Sequence, residues 1–129
     1  MPPLKPDFGP GGLPPLPKIN SSGIEMRAFT HRSFAARPAH VFEDSPDDPS
    51  PDNEQFEHVG DQVIGLIVTD LLQNEFPCLR VGPLTKMRAL VVGNSTLATI
   101  AVQYKLPERL RVHRAHSVTL KASTHVQGT

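Results

Sequence analysis

Asn53-Glu54-Gln55-Phe56-Glu57-His58-Val59-Gly60-Asp61-Gln62-Val63-Ile64-Gly65 is the stretch whose reading decides the fold class of this chain. Apolar residues recur through and beyond it at Phe56, Val59, Val63, Ile67 and Leu71, which is helical spacing over about five turns. Asp52, with Gln55 three residues later, reads as a capping pair at its start, and Pro77 ends it. Val63, Ile64, Ile67 and Val68 are β-branched and would suit a strand, but strict alternation is absent, so the spacing predicts a helix.

The same helix carries the chemistry. At about 100° per residue, Glu54, Glu57 and Asp61 fall within an arc of roughly 60°, opposite Phe56, Val59 and Val63. No Lys or Arg lies within helical reach of them. Like charges at this spacing repel, so the arrangement needs solvent or a cation. Magnesium, which takes oxygen ligands and keeps several waters, would suit it. Taken as spacing alone, the three acids equally describe an ordinary solvated helix face.

Working outward, a first helix is predicted from about Ile24 to Ala35, capped by Ser21 or Ser22 and stopped by Pro38. Between the two helices, residues 37–52 carry four prolines among five acids and read as an inserted acidic loop. Seven of the first seventeen residues are Pro, so residues 1–20 read as a disordered Pro/Gly-rich arm. Downstream, Gly82-Pro83 opens a helix through Leu84, Met87, Leu90 and Val91. Gly93-Asn94 breaks it, Ser95 or Thr96 restarts it to about Lys105, and Leu106-Pro107 reads as a loop. The expected class is all-α, in one domain over residues 21–127.

Composition narrows the function classes. The chain has 129 residues, one Cys, and 13 basic against 13 acidic side chains. A lone Cys78 makes neither an intrachain disulfide nor a Cys-rich zinc cage, and reads as a small apolar packing residue. No stretch approaches the ~18 apolar residues of a membrane span, and no signal peptide is recognisable, so a soluble, intracellular chain without membrane partners is expected. Neutrality conceals segregation: residues 38–79 hold ten acids and no Lys or Arg, whereas residues 80–129 hold eight basic residues and Glu108 as their one acid. Such a division suits divalent cations in one place and a polyanion in another, and also suits mere solvated surface.

The residues 53–65 resemble the signature of the ribonuclease III family, a run of the type N-E-x-x-E-x-x-G-D-x-V. Thr30-His31-Arg32-Ser33 is similar to its T-H-x-S element. Gly82-Pro83-Leu84-Thr85-Lys86-Met87-Arg88-Ala89-Leu90-Val91, followed by Asn94 to Leu97, is similar to the basic helix that follows the signature. The resemblance covers roughly residues 24–127. It implies an all-α endonuclease domain that forms a homodimer and cuts double-stranded RNA with Mg2+ or Mn2+ and no small-molecule cofactor, leaving 5′-phosphate and 3′-hydroxyl ends. By position, Glu57 and Asp61 match the family's first metal-binding carboxylates and Glu54 a supporting acid. Gly60 would allow close approach to the helix. Arg80, Lys86 and Arg88 are the expected RNA contacts, with Lys105, Arg109, Arg111, Arg114 and Lys121 as further candidates.

The departures from the pattern are specific. The acid expected before Gly82 is Val81, the position after it is Pro83, and Gln62 stands where a small residue is usual. The family completes its metal site with an Asp and a Glu three residues apart, on a helix after a segment like Leu120–Gln127, but no acid follows Glu108. The expectation is therefore a domain incomplete at its C-terminus, with weak activity and marginal stability. An alternative is a non-catalytic member, binding duplex RNA or a full-length relative as do ribonuclease III-like proteins of some mitochondrial ribosomes. His113 and His116 have metal-like spacing without Cys or carboxylate partners, so no zinc site is expected. His31 reads as structural and His58 as an exposed neighbour of the acids.

Overall fold

A computed structural model describes residues 4–35, 37–38 and 40–113. Arg114, His116, Lys121 and the segment 120–127 lie outside them. Among the described residues six helices follow in order: α1 (Ser22–Ala28), α2 (Arg32–Ala35), α3 (Glu54–Glu75), α4 (Val81–Val92), α5 (Asn94–Gln103) and α6 (Leu106–Arg109). Among the described residues the β-type pairings are two isolated bridges, Thr30 with Arg111 and Ser45 with Asp48, so the chain is all-α. It divides into two compact units, Met1–Pro15 with His58–Leu106, and Leu16–Glu57 with Pro107–Thr129.

In the first unit, α3 buries Val68 and Leu72, and these are the buried apolar residues among those described. The predicted stripe of Val59, Val63, Ile67 and Leu71 is instead 49–59% exposed. The reason is a second apolar row, Ile64, Val68 and Leu72, spaced by four and lying about 100° from the first. A helix with two apolar rows does not announce which one its own chain will cover. Cys78, read as a packing residue, is exposed.

Helices α4 and α5 meet at Gly93, whose backbone is extended. A Cβ at Gly93 would stand 2.8 Å from the carbonyl oxygen of Ala89. Gly93→Ala is therefore expected to cost about 1–3 kcal/mol by overpacking, read as a lower urea midpoint at unchanged slope. Helix α5 begins at Asn94, one residue before Ser95 and two before Thr96, the predicted starts. The buried Thr96 hydroxyl donates to the Leu90 carbonyl at 2.8 Å and accepts from the Leu4 N–H at 3.3 Å. Residues 4–20 contain neither helix nor strand. Besides the Leu4 bond, the arm accepts a hydrogen bond from the Tyr104 hydroxyl at the Pro14 carbonyl. Leu106-Pro107 opens the single turn α6 rather than a loop, since Pro in a first helical turn lacks only a donor that would go unused there.

The second unit departs from the predicted single helix over 24–35, which is broken at Phe29–His31. Thr30, 1% exposed, is the cause. Its carbonyl accepts the Asn53 N–H at 2.9 Å, while Arg111 accepts from His31 N–H at 2.8 Å and donates to Phe29 at 2.7 Å. Those pairings take the backbone groups that a continuous helix would use. Ser21 caps α1 by accepting from the Ile24 N–H, as its sequence suggests. Three guanidiniums stack on aromatic rings: Arg27 on Phe56 at 4.3 Å, Arg109 on Phe29 at 3.9 Å and Arg111 on Phe34 at 4.2 Å. In the acidic loop, Arg37 binds Asp44, Asp48 and the Pro49 carbonyl, gathering charges that would otherwise repel.

Candidate active site

The predicted capping pair at the start of α3 divides its work. Asp52, 4% exposed, accepts from the Glu54 N–H at 3.1 Å and from the Ser50 hydroxyl at 2.6 Å. Gln55 does not reach back to close the box but accepts from Arg27 at 2.8 Å. Arg27 also donates to the Asp52 carbonyl at 3.0 Å, and Asn53 to the Ala28 carbonyl at 3.1 Å. These bonds fix the first turn of α3, and with it the direction in which the acids leave the helix.

Glu54, Glu57 and Asp61 are all exposed on α3. They differ in company. Arg32, from α2, places Nη1 3.3 Å from Glu54 Oε1, so the cation that helical spacing does not supply comes from elsewhere in the chain. The two side chains are 71% and 55% exposed, which limits such a pair to about 0–1 kcal/mol. Sequence spacing could not reveal this partner, although Arg32 stands inside the Thr30–Ser33 element. Glu57 and Asp61, one helical turn apart, have no side-chain hydrogen bond or ion pair among the described residues. They are two hard oxygen donors left to solvent. No three His, Cys, Asp or Glu side chains converge as a metal cluster among the described residues.

Gly60 lies between them in sequence, and a Cβ there would meet nothing within 4 Å. No neighbour among the described residues demands glycine at that position. His58 is exposed, and His31 accepts at Nδ1 from the Ser33 N–H at 3.1 Å, with the Ser33 hydroxyl 2.8 Å away.

The basic residues sort by what they touch. Arg80 and Lys86 are exposed at and near the start of α4. Arg88 is half-buried and donates to the Thr69 hydroxyl at 3.3 Å. Arg109 pairs with Glu25 at 2.8 Å in addition to its aromatic stack, and Arg111 lies on Phe34, so both are engaged in packing.

Comparison with known proteins bears on these same residues. A profile of the Ribonuclease III domain matches residues 54–128. Ribonuclease 3 of Thermobifida fusca is 38% identical over 96 residues, covering 74% of this chain and 36% of that protein. Ribonuclease 3 of Streptomyces coelicolor is 37% identical over 98 residues, 76% of this chain and 32% of that protein. The Moorella thermoacetica Ribonuclease 3 is 36% identical over 97 residues, 75% and 37% of the respective chains. The chain thus spans about a third of the length of the curated relatives it matches. The matched region opens at Glu54, the first residue of α3, and takes in both unpaired carboxylates, α4 and α5; the chain belongs to the ribonuclease III family.

Proposed function

We propose that this chain is a double-strand-specific endoribonuclease of the ribonuclease III type, acting with Mg2+ or Mn2+ and pairing as a homodimer. The observation that carries the reading is the pair Glu57 and Asp61: exposed, one turn apart, and without a cationic partner among the described residues. Their donor set suits a hard divalent cation, which accepts one or two carboxylates and fills its remaining positions with water and phosphate oxygens. Bound there, the ion would supply positive charge to the scissile phosphate and lower the pKa of an attacking water. Glu57 and Asp61 would hold it through their carboxylate oxygens. Glu54, held by Arg32, supports from beside them. Arg80, Lys86 and Arg88 offset phosphate charge along the duplex, which is recognised through its backbone and 2′-hydroxyls. The exposed row of Val59, Val63, Leu66, Ile67 and Leu71 is the surface offered to a second copy.

The test is cleavage of labelled duplex and single-stranded RNA by the 129-residue chain, with Mg2+ or Mn2+ against chelator. Metal-dependent cuts confined to the duplex are the expected result. Glu54→Gln is expected to slow them by less than about tenfold, because an exposed ion pair is worth less than the ~1.4 kcal/mol of a tenfold change. The second reading, a non-catalytic scaffold for duplex RNA or a full-length relative, is favoured by the lack of a third converging ligand among the described residues. Duplex bound and left intact under every metal condition would establish it and end the first.

A further inference from the structure

A cavity of about 90 Å3 opens between α3 and α4. Leu72 and Leu84 form apolar walls, and Thr69, Gln73, Thr85 and Arg88 bring polar groups to it. The Thr69 hydroxyl donates to the Gly65 carbonyl at 2.7 Å, so it accepts from Arg88 Nη1, 3.3 Å away. That bond fixes the guanidinium while leaving most of its five N–H donors unspent. No carboxylate lines the cavity, and no ion pair reaches Arg88 among the described residues. The Thr85 hydroxyl and the Gln73 amide likewise have no side-chain hydrogen bond there.

A half-buried cation without a counter-charge forgoes part of its hydration and receives little in return. An oxyanion would restore the balance, since a guanidinium fork matches two phosphate oxygens at once. A hydroxyl and an amide stand beside it as further donors. The volume equals roughly three waters at about 30 Å3 each, room for the oxygens of one tetrahedral group. We infer that this cavity is a phosphate-binding pocket, with Arg88 as its charge and Thr85 and Gln73 as its neutral donors. The phosphate is either one of an RNA backbone or free inorganic phosphate. The first source rests on the function proposed above; the pocket itself does not, because its test involves neither cleavage nor a metal.

The experiment titrates inorganic phosphate into the full chain at constant ionic strength and reads 31P line broadening. Saturable broadening is expected, with affinity reduced on the order of tenfold in Arg88→Lys, which keeps the charge but loses the fork, and several-fold in Thr85→Val, which keeps the shape but loses the donor. Circular dichroism verifies folding, and Thr85, being exposed, decides the matter should Arg88→Lys unfold. Fluorescence anisotropy with a short RNA duplex then separates the sources. Weakened duplex binding in Thr85→Val assigns the pocket to backbone phosphate, and unchanged duplex binding with weakened phosphate binding assigns it to the free anion. Broadening that never saturates, or equal phosphate affinity in the parent and Thr85→Val, overturns the inference.

Discussion

Asp61→Asn is expected to reduce metal-dependent duplex cleavage by at least about 100-fold while leaving the fold intact. The substitution keeps the shape of the side chain and removes its charge, so Glu57 alone would hold the cation. Metal charge at a transferring phosphoryl group is worth several kcal/mol, and about 2.7 kcal/mol already corresponds to a factor of 100. Folding is expected to be unharmed or slightly improved. Asp61 is exposed, makes no side-chain hydrogen bond or ion pair among the described residues, and sits one turn from Glu57, whose repulsion would be relieved by a few tenths of a kcal/mol. A second reading of the same variant uses Mn2+ and the paramagnetic resonance of the free ion, where weaker binding is expected. Unchanged cleavage together with unchanged Mn2+ binding would remove Asp61 from the metal site.

Leu72→Ala is expected to destabilise the chain by about 2–5 kcal/mol, the range for removing a buried leucine side chain. Leu72 is 8% exposed, and Val68 is its one fellow in the buried apolar set of the described residues. Against a typical total of about 5–15 kcal/mol, that loss is a large fraction of the stability. Leu66→Ala, on the same helix at 72% exposure, is the matched control, expected within about 0.5 kcal/mol of the parent at concentrations where the chain is monomeric. Urea unfolding followed by circular dichroism separates the two. Equal midpoints would mean that α3 presents a different face to its own chain.

Helix α3 is legible in the sequence because its spacing, its acidic first turn and Pro77 all agree, and local agreement of this kind is what specifies an element. The break at Gly93 was legible for the same reason. The division of the first helix at Thr30 was not: it depends on Asn53 and Arg111, 23 and 81 positions away, and no local pattern encodes a backbone pairing at that separation. The site divides likewise. That Glu54, Glu57 and Asp61 share a face follows from the pitch of the helix, whereas the pairing of Glu54 with Arg32, and so its distinction from the other two, follows from a contact across 22 residues.

The sequence by itself determined the all-α class, the acidic helix and the family, because helical periodicity and a contiguous signature are properties of neighbouring residues. Tertiary structure alone decided which of two apolar rows on α3 is buried, that Arg27, Arg109 and Arg111 lie on aromatic rings, and that Arg88 turns into a cavity beside Thr69. A row of apolar side chains states that something must cover it. What does so is fixed by the path of the rest of the chain.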